Sequence, residues 1–145
     1  MPNPLVNQGF LNRVKGAVSV TDDANLNVTA PYLGNDAISL RPDTAAADVI
    51  PTLTGTVGSQ APYQQVTLTI HMLRTQALAS SWQARFATDT ALGEIVVTPD
   101  SNVFGDYTIL NAYLVNFQEI AITGRDPGYV AIISGYIVTN NKMWD

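Results

Sequence analysis

Apolar and polar positions alternate most cleanly over residues 63–73, YQQVTLTIHML. Val66, Leu68, Ile70 and Met72 share one face, and Gln65, Thr67, Thr69 and His71 share the other. A period of two predicts a half-buried strand with a polar outer face. The next stretch, TQALASSWQARFATDT, changes period. Leu78, Trp82 and Phe86 recur every four residues, with Ala79 and Ala87 beside them. That spacing predicts a single amphipathic helix at about 75–88, with Thr75 as its N-cap and the Thr/Asp cluster and Gly93 as its stop. Shorter strands are expected in LNRVKGAVSV (11–20), LNVTA (26–30), AISL (37–40) and EIVVT (94–98), with the turn TDDAN after the first.

Two long strands joined by TGRDPG follow, over 107–123 and 128–140, and their pattern is two-sided. In the first, Tyr113, Val115 and Phe117 face one way and Leu114, Ile120 and Ile122 the other. In the second, Ile133 and Ile137 oppose Val130, Ile132, Tyr136 and Val138. An antiparallel pair with one solvated face would be polar on that face. A three-turn helix is about 17 Å long, whereas strands of a dozen residues run about 40 Å, so one helix cannot cover the second face. The expectation is that copies of the chain cover it, pairing side by side around a ring and removing their strand edges together.

Residues 1–10, rich in Pro and Asn, read as an arm, and residues 41–62, RPDTAAADVIPTLTGTVGSQAP, as a protruding hairpin or loop that packs on something. Strands, one helix, then strands, with no repeated βαβ unit, give a mainly β fold: an antiparallel β-barrel or sandwich with one helix. A chain of 145 residues is expected to be a single domain over 1–145.

Composition sharpens the assembly expectation. Charged residues are only 13% of the chain, so its surface is better suited to cover by other subunits than to solvation alone. The net charge of −5 leaves no broad basic surface to grip nucleic acid. There is no Cys, so disulfide scaffolds, thiolate metal sites and Cys nucleophiles are excluded. His71 is the sole His and has no acid on its strand face, Ser80 and Ser81 sit mid-helix, and no phosphate-cradling Gly loop occurs. The expectation is therefore no enzyme, no cofactor and no metal. The first residues lack an apolar core of signal-peptide length and no run approaches a membrane span, so neither export by that route nor membrane insertion is expected.

The arm MPNPLVNQGF, the strand LNRVKGAVSV, the long loop 41–62, the strand–helix unit YQQVTLTIHMLRTQALASSWQARF and the long C-terminal strands together resemble the tail tube proteins of contractile-tailed bacteriophages. More distantly, the chain resembles the hemolysin-coregulated ring protein of type VI secretion. The resemblance is one of layout over nearly the whole chain, with no diagnostic short motif. It implies a structural virion protein forming stacked, hexameric rings, a conduit for DNA ejection. The implied partners are the chain itself, the tail sheath protein, a tape-measure protein inside the tube, and baseplate and tail terminator proteins at its ends. DNA would pass in transit without tight binding. The implied location is the virion tail, assembled in the host cytoplasm.

The candidate inter-subunit contacts are Val49, Ile50, Leu53 and Val57 on the loop, Leu114, Ile120, Ile133 and Tyr136 on the long strands, and Trp144 near the C-terminus. The alternatives are a tail-completion, tube-initiator or baseplate protein of the same fold, or a soluble β-sandwich binding module.

Overall fold

The computed structural model describes residues 5–6, 8–101 and 103–145; residues 1–4 of the expected arm, Asn7 and Asn102 lie outside the described residues. Among the described residues there are eight strands: β1 (Ala17–Val20), β2 (Leu33–Pro42), β3 (Ala47–Pro51), β4 (Thr56–Gln60), β5 (Tyr63–Leu73), β6 (Ala91–Thr98), β7 (Tyr107–Ile120) and β8 (Gly128–Val138). The one α-helix among the described residues, α1, spans Ala77–Thr88. Six strands form one antiparallel sheet in the order β1-β6-β7-β8-β5-β2, and β3 and β4 form a separate hairpin. The six-stranded sheet curls into a half-barrel, as the mainly β expectation requires.

The concave face holds the core. Cross-strand partners share a face, so Leu68 opposite Ile133, Ile133 opposite Leu114 and Ile95 opposite Ile109 form one buried apolar layer. Leu78 and Trp82 of α1 cover it, with Leu26 and Val28 closing one side. No polar or charged residue is buried among those described. Tyr129 reaches its hydroxyl to Ala79 O at 3.4 Å, and burial pushes its phenol above the ordinary value, so it remains a neutral donor.

Several boundaries move, each for a local reason. The first strand is only Ala17–Val20, because the residues before it fold into a turn at Asn12: its Oδ1 accepts the Val14 N–H and its C=O the Lys15 N–H. LNVTA is not a regular strand. Ala24–Leu26 forms a 3-10 turn capped by Asp23, and Val28 makes a single bridge to Val18. AISL lengthens into β2, with an irregularity between Leu33 and Ile38 where Ala37 takes a φ of 49°. The cap of α1 is Gln76, not Thr75, and it makes no side-chain hydrogen bond. The helix ends at Thr88, and Gly93 lies inside β6, at a register shift with φ 73°. A Cβ on Gly93 would run into the Asp22 carboxylate, so both space and conformation demand glycine there.

The long strands need the larger correction. Register shifts in β7 between Leu110 and Tyr113, Leu114 and Asn116, and Phe117 and Glu119 break its period of two. Phe117 is thereby turned to the core side, where its ring centroid lies 5.1 Å from Phe86 and 5.4 Å from Tyr129, and not with Tyr113 and Val115. β7 and β8 are also interior strands of the sheet, so they have no free edges to offer a neighbouring subunit. Gly135 permits the tight approach of the two strands: a Cβ there would stand 2.9 Å from Leu110 O.

Candidate assembly interface

Strand directions alternate across the sheet, and this decides which loops share an end. Four segments leave from one end: the arm before β1, the β3–β4 hairpin between β2 and β5, the β6–β7 loop and the tail after β8. Each carries exposed apolar side chains. The arm presents Val6, Phe10, Leu11 and Val14, the hairpin Val49, Ile50, Leu53 and Val57, the loop Val103 and Phe104, and the tail Met143 and Trp144. Asn12 N–H donates to Asp100 O (3.0 Å), tying the arm root to the β6–β7 loop. A cleft of about 780 Å³ lies between them, lined by Phe10, Leu11, Val103 and Phe104.

The hairpin is a built feature. Ile50 pairs with Val57 and Val49 with Gly58, so the hairpin is apolar on the Ile50–Val57 face and presents Val49 on the other. Thr52 closes the turn, donating its N–H to Gly55 O (2.7 Å) and accepting the Gly55 N–H at its Oγ1 (3.2 Å). At the root, Asn140 Nδ2 donates to both Ala46 O (2.8 Å) and Ala61 O (2.9 Å). Thr139 adds its N–H to Pro62 O and its Oγ1–H to Ala61 O. Asn140 holds the left-handed conformation (φ 51°, ψ 48°) that aims its amide at both carbonyls. The C-terminal tail therefore clamps the hairpin onto the sheet.

The convex face of the sheet is the second surface. Tyr63 and Tyr136 meet edge-on at 5.5 Å, with Val138 opposite Tyr63. Tyr113 and Val115 are exposed on β7, while Val130 and Ile132 of β8 are half-buried. Polar Gln65, Thr67 and Thr69 of β5 flank this apolar stripe.

Among the expected contacts, Val49, Ile50, Leu53, Val57 and Trp144 are exposed at the hairpin end, with Trp144 at 74%. Ile120 is exposed at the opposite end of β7, and Tyr136 is half-buried on the convex face. Leu114 and Ile133 are wrong as inter-subunit contacts. They are 1% and 0% exposed, because they pair with each other on the concave face under α1. Exposed Phe10 and Leu11 of the arm, Val103 and Phe104 of the β6–β7 loop, and Tyr63 and Tyr113 on the sheet were not among the expected contacts. Apolar residues among Pro, Asn and Gly were the available signal for the first four.

At the helix end, His71 of β5 shares a cleft of about 440 Å³ with Asp36, Glu119 and Asp126. The acids come from β2, β7 and the β7–β8 turn, which strand-face reasoning about His71 alone could not reveal. Among the described residues no helix is long and apolar enough to cross a membrane.

No family model matches this chain, and no curated protein matches it.

Proposed function

We propose that this chain is the subunit of a tail tube of the contractile phage type, closing into hexameric rings that stack into a hollow conduit for DNA. The observation that carries this reading is the segregation of exposed apolar segments. Arm, hairpin, β6–β7 loop and tail project from one end of a half-barrel, and the hairpin among them is anchored at its root by Asn140. Unlike ends favour head-to-tail contacts, which extend into filaments unless the rotation closes. The same chain carries an apolar stripe on its convex face for lateral contact and an acidic balance that denies a passing duplex a binding surface.

In this role the chain meets itself within and between rings, a sheath outside, a tape-measure protein within during assembly, and baseplate and terminator proteins at the ends. Its place is the virion tail, assembled in the host cytoplasm. Electron microscopy of the purified chain tests the reading. Filaments of uniform diameter are expected; rings that never stack favour an initiator or baseplate role, and monomers at high concentration overturn it.

A second reading rests on the Tyr63–Tyr136 pair with Gln65 and Ser134 beside it. Aromatic faces flanked by amides suit a sugar ring, and a monomer that binds glycan through Tyr63 would select a β-sandwich binding module.

A further inference from the structure

The two edges of the six-stranded sheet are unlike. On β1, Val18 exchanges both backbone hydrogen bonds with Val28 (2.9 and 2.8 Å), and the Val20 N–H donates to Asn27 Oδ1 (2.9 Å). That edge is closed within the chain. On β2, Asp43 donates its N–H to Gln65 O, in register with Arg41 opposite Thr67 and Ser39 opposite Thr69. Alternation along an antiparallel strand then turns the N–H and C=O of Ile38 and Leu40, and the C=O of Pro42, outward. A row of such groups is a template for a further strand.

Beside this edge the half-barrel is open. A slot of about 780 Å³ separates β2 from the β1–β6 side, its apolar lining including Leu33, Ile38, Leu40, Val97 and Tyr107. A ring that joined β1 of one copy to β2 of the next would first have to break the Val28 and Asn27 bonds.

We propose that β2 instead accepts the N-terminal arm of a second copy, residues 5–11 entering as an added strand whose apolar side chains fill the slot. Composition supports that occupant. Residues 5–11, LVNQGFL, are uncharged and hold four apolar side chains, so they enter the slot without burying a charge. Length supports it too: residues 5–11 reach about 23 Å when extended, enough to pair with the outward groups from Ile38 to Pro42. Phe10 is 86% exposed, and Val6 and Leu11 are also uncovered. The Asn12–Asp100 bond holds the arm root on the β6 side of its own slot. This inference rests on the tube reading for its ring geometry, since each copy gives one arm and takes one.

Because the chain has no Cys, introduced thiols report unambiguously. Gln8→Cys, on the same strand face as Phe10, and Leu40→Cys, which lines the slot, each in an otherwise unchanged full chain and carrying different mass tags, are mixed and mildly oxidised. The expected product is a covalent heterodimer at least several-fold more abundant than either homodimer. A chain carrying both thiols should form covalent multimers.

Exclusive self-linking of Gln8→Cys, or closure of the doubly substituted chain into a covalent monomer, overturns the proposal. Filaments without cross-links also overturn it while leaving the tube reading intact. Cross-links without filaments support arm exchange and count against the tube. Phe10→Asp provides a second check: it should leave the melting temperature of the subunit unchanged and reduce cross-linking at least tenfold.

Discussion

Asn140 offers the sharpest perturbation, because its amide alone joins the tail to both roots of the hairpin. Asn140→Ala removes two hydrogen bonds, to Ala46 O and Ala61 O, while keeping φ at 51°. Each bond contributes about 0.5–1.5 kcal/mol net, and an ordinary L-residue in the left-handed region costs about 1–2 kcal/mol. The expected loss is about 2–5 kcal/mol. Asn140→Gly separates the two causes: it tolerates the conformation and loses only the bonds, about 1–3 kcal/mol.

The loss should fall on the hairpin root first, since the core lies elsewhere on the sheet. Hydrogen exchange at the Ala61 and Thr139 amides, which bond to Ala46 O and Pro62 O, reads it directly. For Asn140→Gly, exchange should accelerate by about 5–140-fold, at about 1.4 kcal/mol per tenfold. Under the proposed function, filament assembly falls in parallel. Unchanged exchange at both amides in Asn140→Gly would show that the clamp does not hold the hairpin.

Leu114→Ala should cost about 2–5 kcal/mol by chemical denaturation of the isolated subunit, and Ile133→Asp should prevent folding, because both side chains lie in the subunit core. Leu53→Ser, at the exposed hairpin tip, should leave the denaturation midpoint unchanged and, under the proposed function, weaken assembly seen by sedimentation. Gly93→Ala should lower the melting temperature by at least about 3 °C, from left-handed strain and displacement of the Asp22 carboxylate. Above pH ~10 an unfolded Tyr129 ionises while the buried one resists. The folded state then holds the extra proton, and stability falls as pH rises; Tyr129→Phe should flatten that alkaline limb in pH-dependent melting.

The sequence reveals elements whose pattern is local and unbroken. β5 reads directly because all eleven residues keep one register against β8, and the concave and convex faces of β8 follow the expected alternation. α1 reads because Leu78 and Trp82 recur at helical spacing and are buried together. What fails is β7, where register shifts move Phe117 to the concave face, so a strand that reads as apolar on both sides is partly one whose sides exchange midway. Leu114 was misassigned for a related reason. Alternation gives two faces but does not say which lies under the helix; that depends on β7 sitting between β6 and β8, a long-range fact. The apolar loop was legible as a protruding hairpin, whereas the Asn140 clamp joins residues 79 and 94 positions apart and leaves no local trace.

Charge divides unequally between the two ends of the sheet, and this bears on how rings would stack. At the helix end, Asp22, Asp23, Asp36, Asp89, Glu94, Glu119 and Asp126 outweigh Arg74, Arg85 and Arg125, a net −4. At the hairpin end, Arg13, Lys15, Arg41 and Lys142 nearly balance Asp43, Asp48, Asp100, Asp106 and Asp145, a net −1. Two helix ends facing each other would repel, six times over in a hexameric ring, whereas a hairpin end brings apolar segments and four cations to an acidic surface. Polar, head-to-tail growth is therefore the arrangement that the charges favour. Raising salt from about 0.1 to 1 M shortens the screening length from about 10 to 3 Å, so it should relax that bias and admit filaments with reversed junctions. Filaments whose subunits alternate in direction at low salt would contradict this account of stacking.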